Sequence, residues 1–174
     1  MKLNSGLILT ILVSLTLTAC GTSKKQGPVV DEKPVEVAPV VDNTPKYVEG
    51  TNLTAEELRA LGIMGNPLDE KAVYFEYNST AIDRRSQVIL GAHAYNLAKS
   101  AGTAVTLDGH ADERGTRDYN LSLGERRAQV VSEFLAANGA RSNNKTVSYG
   151  EERPVDSAHT EAAWAKNRRV EIKY

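Results

Sequence analysis

The pattern of hydrophobic and polar positions changes several times after residue 70, and each change marks a predicted element. A run rich in aromatic and β-branched residues covers 72–77, and similar runs cover 104–108 and 146–149. The last run, 169–174, alternates between polar and apolar residues. Such runs are typical of strands with one or both faces buried. The sequence therefore predicts four strands.

Helical spacing of apolar residues separates these strands. One such stretch follows Asp83 and ends before Gly102, and a second covers 123–137. A short helix is predicted at 55–61, where Thr54 begins a capping box, and another precedes the last strand. The order is β-α-β-α-β-(short helix)-β, and right-handed crossovers place both long helices on the same side. We expect an α+β fold of the βαβαβ type, a single small mixed sheet with two long helices packed on one face.

The first twenty residues have the pattern of a targeting segment. Lys2 precedes an almost wholly apolar run at 7–17, which is too short to span a bilayer and fits a signal peptide. Leu17-Thr18-Ala19-Cys20 resembles the bacterial lipobox, which implies cleavage after residue 19 and lipidation of Cys20 with diacylglycerol and an acyl chain. Gly21, in place of an aspartate, implies sorting to the outer membrane. The alternative is an ordinary secretory peptide with a chance cysteine.

Spaced prolines characterise the next segment, which contains Pro28, Pro34, Pro39 and Pro45 without apolar periodicity. This composition favours an extended, flexible chain. The alternative is an arm that folds back on the domain. We therefore predict a signal peptide at 1–19, a lipidated N-terminus and tether at 20–53, a short helix or lid at 54–71 and a folded domain at 72–174.

The amino-acid composition argues against several classes of ligand and site. The 174 residues carry a net charge of −1, so no excess of basic residues supports nucleic-acid binding. Cys20 is the single cysteine, which excludes an internal disulfide and cysteine-based zinc clusters. No second histidine follows close to His110 in the sequence, so we predict no metal site and no cofactor, and expect His110 to bond a backbone group.

A charged loop, 109–115, joins the second strand to the second long helix, where a ligand site is expected in such a sheet. Asp112 offers a carboxylate and Arg127 a guanidinium, a pair that suits a ligand with both an ammonium and a carboxylate. Arg127 lies on the apolar stripe of its helix between Leu123 and Val131. A buried guanidinium needs a partner, which a carboxylate of the protein or of a ligand would supply. The alternative is a solvated loop beside an ordinary helix face.

Five stretches, in this order, resemble the OmpA C-terminal-like family and in particular its peptidoglycan-associated lipoproteins. They are Tyr-Phe-Glu-Tyr-Asn-Ser at 74–79, Gly-His-Ala-Asp-Glu-Arg-Gly-Thr at 109–116, Tyr-Asn-Leu-Ser-Leu-Gly-Glu-Arg-Arg-Ala at 119–128, Ser-Tyr-Gly-Glu-Glu-Arg-Pro at 148–154 and Ala-Lys-Asn-Arg-Arg-Val at 165–170. The resemblance covers 72–174. It implies an OmpA-like fold and a protein that is not an enzyme but binds peptidoglycan non-covalently through the diaminopimelate of the stem peptide.

The resemblance also implies roles for individual residues. Asp112 of the Gly-His-x-Asp motif would take the ammonium of diaminopimelate, and Arg127 of the Arg-Ala pair would take the α-carboxylate. The loop after the first strand would add contacts. Many members of the family have aspartates where this chain has Glu76 and Asn78. The remaining candidate contacts are Phe75, Tyr77, Asn78, Asn120, Leu123 and Arg168, and the alternative for Arg168 and its neighbour Asn167 is a cap that holds the last strand.

The same resemblance implies an outer-membrane lipoprotein, anchored in the inner leaflet, with its domain in the periplasm. Its partners would be peptidoglycan, TolB and other components of the Tol–Pal system, which serves envelope integrity and cell division. Two other functions remain open. One is a cell-wall hydrolase or amidase, for which His110, Asp112 and Glu113 supply acid-base groups, although Ser122 has no evident histidine base. The other is a signalling lipoprotein without affinity for the wall.

Overall fold

The computed structural model describes residues 48–174, so the predicted signal peptide, the lipidation of Cys20 and the predicted tether up to residue 47 lie outside the described residues. The helices are α1 (Ala55–Ala60), α2 (Arg84–Lys99), α3 (Arg117–Ala137) and α4 (Glu161–Asn167). The strands are β1 (Ala72–Tyr74), β2 (Ala104–His110), β3 (Asn143–Gly150) and β4 (Arg169–Lys173). Within 48–174, no helix has both the length and the apolar character that a membrane crossing requires.

The four strands form one open mixed sheet in the order β1-β4-β2-β3. β2 and β3 are parallel, whereas β4 runs antiparallel to both of its neighbours. The long helices α2 and α3 contact each other and the sheet, and their apolar residues share one core with β1, β2 and β4. The predicted α+β fold and element order are confirmed.

Helix α3 begins at Arg117, six residues before the start that apolar spacing predicts. The first turns carry few apolar side chains, so the hydrophobic pattern does not show them. Thr116 nevertheless caps the helix, because its hydroxyl accepts a hydrogen bond from the backbone N–H of Tyr119 at 3.3 Å. Asn120 lies in these added turns, and Leu123 follows directly after them.

Strand β1 ends at Tyr74 instead of the predicted residue 77. The chain leaves the sheet after Phe75, and Asn78 adopts a positive φ of 50°, which turns the backbone back on itself. The carbonyls of Glu76 and Ser79 consequently point at Arg127 of α3 instead of at a neighbouring strand. The predicted end of the strand is therefore wrong because a buried side chain takes these carbonyls.

Two glycines allow α3 to approach β2 at backbone distance. A Cβ atom at Gly109 would lie 2.0 Å from the carbonyl oxygen of Gly124, and one at Gly124 would lie 2.4 Å from the hydroxyl of Ser148. Neither position therefore accepts a side chain without a shift of the backbone. This contact fixes the first half of α3 over the C-terminal end of β2.

The N-terminal described residues pack on the domain. Thr54 and Glu57 form the predicted capping box of α1, and Leu58 and Ile63 are buried in the common core. Val48 and Leu53, at the C-terminal end of the segment predicted as a tether, also contact this core. The short helix is thus part of the packed structure.

Candidate functional site

A small recess lies where β2 ends and α3 begins. All the predicted contact residues line it except Phe75, whose ring is buried behind it. Arg114 and Tyr119, which the sequence analysis did not select, complete its wall. The residues that line the recess are Tyr77, Asn78, Asp112, Arg114, Tyr119, Asn120, Leu123, Arg127 and Arg168.

Arg127 forms the floor of this recess and is fully buried. Its guanidinium donates to the backbone carbonyls of Ser79 at 2.9 Å, His110 at 2.8 Å and Glu76 at 3.1 Å. Within 48–174, no carboxylate oxygen lies within 4.0 Å of this guanidinium, the distance that defines an ion pair. Backbone carbonyls therefore take the place of the expected carboxylate partner. Burial, and then the nearby charge of Arg168, lower the pKa of Arg127 to about 10, which leaves it protonated at neutral pH.

Asp112 is almost as buried but has charged partners. Its Oδ1 accepts from the backbone N–H and the Nε of Arg114 at 3.1 and 3.2 Å. Its Oδ2 accepts from the Nη2 of Arg114 at 2.7 Å and from the Nη1 of Arg168 at 3.3 Å. Burial acts to raise the pKa of Asp112, but the hydrogen bonds from these two arginines outweigh it and hold the pKa below its usual value.

Arg114 is the charged residue of the recess that sequence reasoning missed. It bridges Asp112 and Glu161, with its Nη1 at 3.1 Å from Glu161 Oε2. Its guanidinium carbon lies 4.1 Å from the ring centre of Tyr77 and 4.2 Å from that of Trp164. The Asp-x-Arg spacing in the loop was a possible signal, since a loop can bring side chains two residues apart into contact.

The neighbours Asn167 and Arg168 take different roles. Arg168 reaches the recess, where it pairs with Asp112 and donates to the carbonyl of Phe75 at 2.9 Å. Asn167 instead accepts from the backbone N–H groups of Val155 and Asp156 and donates to the carbonyl of Asp156. Asn167 therefore holds the loop at 155–156, which is a structural role but not the cap of the last strand that the alternative gave it.

Polar side chains of α3 and of the β1–α2 loop form the rim. Tyr119 donates its hydroxyl to the side-chain oxygen of Asn78, and Asn120 donates to Glu151. Tyr77 and Tyr119 are among the exposed aromatic residues of the domain. The rim therefore presents the exposed rings of Tyr77 and Tyr119 beside the charged floor, whereas Asn120 is buried.

The recess holds one carboxylate against three guanidiniums, a formal excess of two positive charges. Its free volume is about 10 Å³, room for about one water molecule. A ligand with a carboxylate suits the charge excess, but a group larger than water enters only if side chains of the rim move.

The profile of the OmpA family matches residues 74–168, which is more than half of the chain and contains the whole recess. This chain belongs to the OmpA family. It is 50% identical over 101 residues to a peptidoglycan-associated lipoprotein of Pseudomonas aeruginosa, covering 58% of this chain and 60% of that one. It is 45% identical over 103 residues to a peptidoglycan-associated lipoprotein of Pasteurella multocida, covering 59% and 69%. The match thus spans about 60% of the length of the Pseudomonas relative.

Solved structures with a similar fold superpose on this OmpA-family domain. The crystal structure of the peptidoglycan-associated lipoprotein from Burkholderia pseudomallei superposes with a TM-score of 0.60 at 37% identity, covering 63% of this chain and 94% of that one. The C-terminal domain of Helicobacter pylori MotB gives a TM-score of 0.52 at 23% identity, covering 59% and 81%. The second match concerns the fold alone.

His110 of the OmpA-family domain lies directly under the recess. Its carbonyl accepts from Arg127, while its ring stacks on Tyr149 with centroids 5.4 Å apart. Its Nε2 faces the guanidinium of Arg169 at 3.4 Å, so the expected bond from this ring to a backbone group is not formed. Burial, and then the charge of Arg169, lower the pKa of His110 to about 4. In the described part of the chain, no group of three or more acidic, histidine or cysteine residues could hold a metal ion.

The buried, neutral His110 predicts that stability falls in acid. Its folded-state pKa of about 4 lies below the ordinary value of 6.5, so the unfolded chain takes up a proton first. Its contribution is complete above pH 6.5 and is lost as the pH falls toward 4. We expect the free energy of unfolding to drop by about 2 kcal/mol between pH 7.5 and pH 5 through this group.

Urea unfolding at a series of pH values measures this loss. His110→Gln should reduce the dependence over that range without abolishing it, because burial also lowers the pKa of His93. His159→Gln, at an exposed histidine, should leave the dependence as in the wild type. Equal slopes in the wild type and in His110→Gln would show that His110 is not the group that titrates.

Proposed function

We propose that this chain is an outer-membrane lipoprotein that binds peptidoglycan non-covalently and so ties the membrane to the cell wall. The ligand in this proposal is the diaminopimelate of the stem peptide. The membership of the OmpA family and the names of the relatives from Pseudomonas, Pasteurella and Burkholderia support the cell-wall role. The chain acts in this proposal as a binding protein and not as an enzyme.

The observation that carries the proposal is the meeting of one carboxylate and several guanidiniums in a single recess. The free end of diaminopimelate carries an ammonium and a carboxylate on the same carbon. Asp112 is the sole carboxylate that lines the recess, so it receives the ammonium. Arg127 and Arg168 provide the excess positive charge that attracts the carboxylate. Hydrogen bonds to charged groups contribute about 1.5–3 kcal/mol each, so a few of them give micromolar affinity.

The partners follow from the same proposal. The domain sits in the periplasm, a lipid on Cys20 holds the chain in the inner leaflet of the outer membrane, and TolB and other Tol–Pal components bind the domain. TolB and peptidoglycan compete for it. Two or more acyl chains are needed for a stable anchor, because one chain alone binds a membrane only weakly.

Binding to the wall is tested with the full-length protein. We expect it to co-sediment with insoluble peptidoglycan, and a stem peptide ending in meso-diaminopimelate at millimolar concentration should raise its melting temperature by several degrees. The matched control is the same peptide with the terminal residue replaced by alanine, which lacks the second ammonium and carboxylate. No co-sedimentation and no shift with the diaminopimelate peptide would contradict the proposal.

A test for soluble fragments released from peptidoglycan distinguishes a binding protein from a hydrolase. The hydroxyl of Ser122 donates to the carbonyl of Asp118 at 2.9 Å, one turn back in α3, which is a structural bond of the helix. We expect no muropeptides after prolonged incubation of the protein with purified peptidoglycan, measured by chromatography of the supernatant. Their appearance would favour the hydrolase or amidase alternative.

A further inference from the structure

The cation that Asp112 holds in this structure is supplied by the protein itself. Three of the four hydrogen bonds to its carboxylate come from Arg114 and one from Arg168. The two arginines differ in exposure, because the side chain of Arg168 is 5% exposed and that of Arg114 is 28% exposed. Arg168 is thus built into the wall, whereas Arg114 lies on the open side of Asp112.

Arg114 has a second carboxylate within reach. Its Nη1 contacts Glu161 Oε2 at 3.1 Å, and the side chain of Glu161 is 62% exposed at the start of α4. The guanidinium carbon also lies 4.1 Å from the ring centre of Tyr77 and 4.2 Å from that of Trp164, and both rings favour a cation at this place. Glu161 is shared, because its Oε1 also lies 2.9 Å from the Nη1 of Arg168. Arg114 can therefore release Asp112 and keep one of its two carboxylate contacts, that with Glu161 Oε2.

We propose that Arg114 is a specificity-determining residue of the peptidoglycan site: it occupies the place of the ligand's ammonium and must be displaced by it. This inference rests on the proposed function. The small free volume of the recess supports it, because the room for an ammonium group is taken up by the guanidinium.

If Arg114 must be displaced, the affinity depends on which charged groups the ligand carries. An ammonium without a neighbouring carboxylate only exchanges one cation at Asp112 for another. An ammonium and a carboxylate on the same carbon do more, because the carboxylate, which Arg127 and Arg168 attract, also accepts the hydrogen bonds that Arg114 no longer makes with Asp112. Arg114 thus favours diaminopimelate over lysine, whose side chain ends in an ammonium alone.

Two stem peptides that differ in this one carboxylate test the inference. One ends in meso-diaminopimelate and the other in L-lysine, and isothermal titration measures the affinity of the full-length protein for each. We expect the wild type to prefer the diaminopimelate peptide, and Arg114→Gln to reduce the ratio of the two affinities about tenfold, mainly through tighter binding of the lysine peptide. Because the ratio is taken within one protein, a change in stability does not alter it.

Two further variants separate displacement from other effects of charge. Arg117→Gln removes an exposed arginine that pairs with Glu152 outside the recess, and it should keep the wild-type ratio. Arg114→Lys keeps the cation and should retain most of the preference. An unchanged ratio in Arg114→Gln, or an equal weakening for both peptides, overturns the inference while the binding function stands. Binding of neither peptide by any of these proteins overturns the proposed function and the inference together.

Discussion

Replacing Asp112 with asparagine is expected to lower the affinity for peptidoglycan between about 10- and 100-fold. The amide is the size of the carboxylate but carries no charge, so the ligand's ammonium loses a charge-assisted hydrogen bond of about 1.5–3 kcal/mol. The change also removes the carboxylate that lines the recess beside Arg114, Arg127 and Arg168, so that Glu161 alone remains to pair with Arg114 and Arg168. Co-sedimentation with insoluble peptidoglycan and titration with the diaminopimelate peptide both measure the loss.

Asp118→Asn is the matched control for this experiment. It removes the same charge from an exposed position in the first turn of α3, outside the recess, and should bind within about twofold of the wild type. Melting curves of both variants show whether the fold is retained. Wild-type affinity in a folded Asp112→Asn protein would rule out this carboxylate as the ligand contact.

The largest effect on stability is expected for Gly109→Ala. The added methyl group would lie 2.0 Å from the carbonyl oxygen of Gly124, and both glycines belong to elements whose residues are packed in the core. Helix α3 must therefore move away from β2, and overpacking of this kind costs about 3 kcal/mol or more. Urea unfolding, analysed at constant m-value, measures the loss.

Gly91→Ala is expected to have the opposite effect on the stability of the protein. Gly91 lies within α2. Apart from its two chain neighbours and the backbone of its own helix, no atom lies within 4 Å of the position of an added Cβ. Alanine should stabilise the helix there by about 0.5–1 kcal/mol, because it restricts the unfolded chain and favours helical geometry. Similar changes in stability for the two variants would show that α3 and β2 do not touch in this way.

Much of the fold could be predicted because the core follows simple periodicity. Val170 and Ile172 alternate with polar residues, and Asp83 caps α2 where its apolar spacing begins. The errors occur where other interactions set the ends of elements. Helix α3 begins earlier because Thr116 caps a turn without apolar residues, and β1 ends earlier because a side chain from α3 takes the next carbonyls.

The candidate site could be predicted only in part, for a related reason. Asp112 and Arg127 were recognisable as charges next to an apolar pattern, and the structure brings both to one recess. Their partners were not recognisable. The carbonyls of Ser79, His110 and Glu76 have no sequence signature, and a loop residue such as Arg114 has no period that would reveal its contact with Asp112.

The carbonyl contacts of Arg127 also determine how it should be tested. Alanine at this position would leave the buried carbonyl of His110 and the partly buried carbonyls of Ser79 and Glu76 without this donor, and would leave a cavity in the core, each of which destabilises the fold. Loss of binding in such a variant would therefore report unfolding as much as a lost ligand contact. For this reason Asp112→Asn is the more informative variant.

The three carbonyl bonds of Arg127 also bear on the order of folding. They join α3 to residues 48, 17 and 51 positions away along the chain. Contacts over such separations cost conformational entropy, because the intervening segments must be brought together to form them. The recess thus comes into existence only when the β1–α2 loop, the end of β2 and α3 have all docked, so a nascent or partly folded chain has no binding surface of this kind to present.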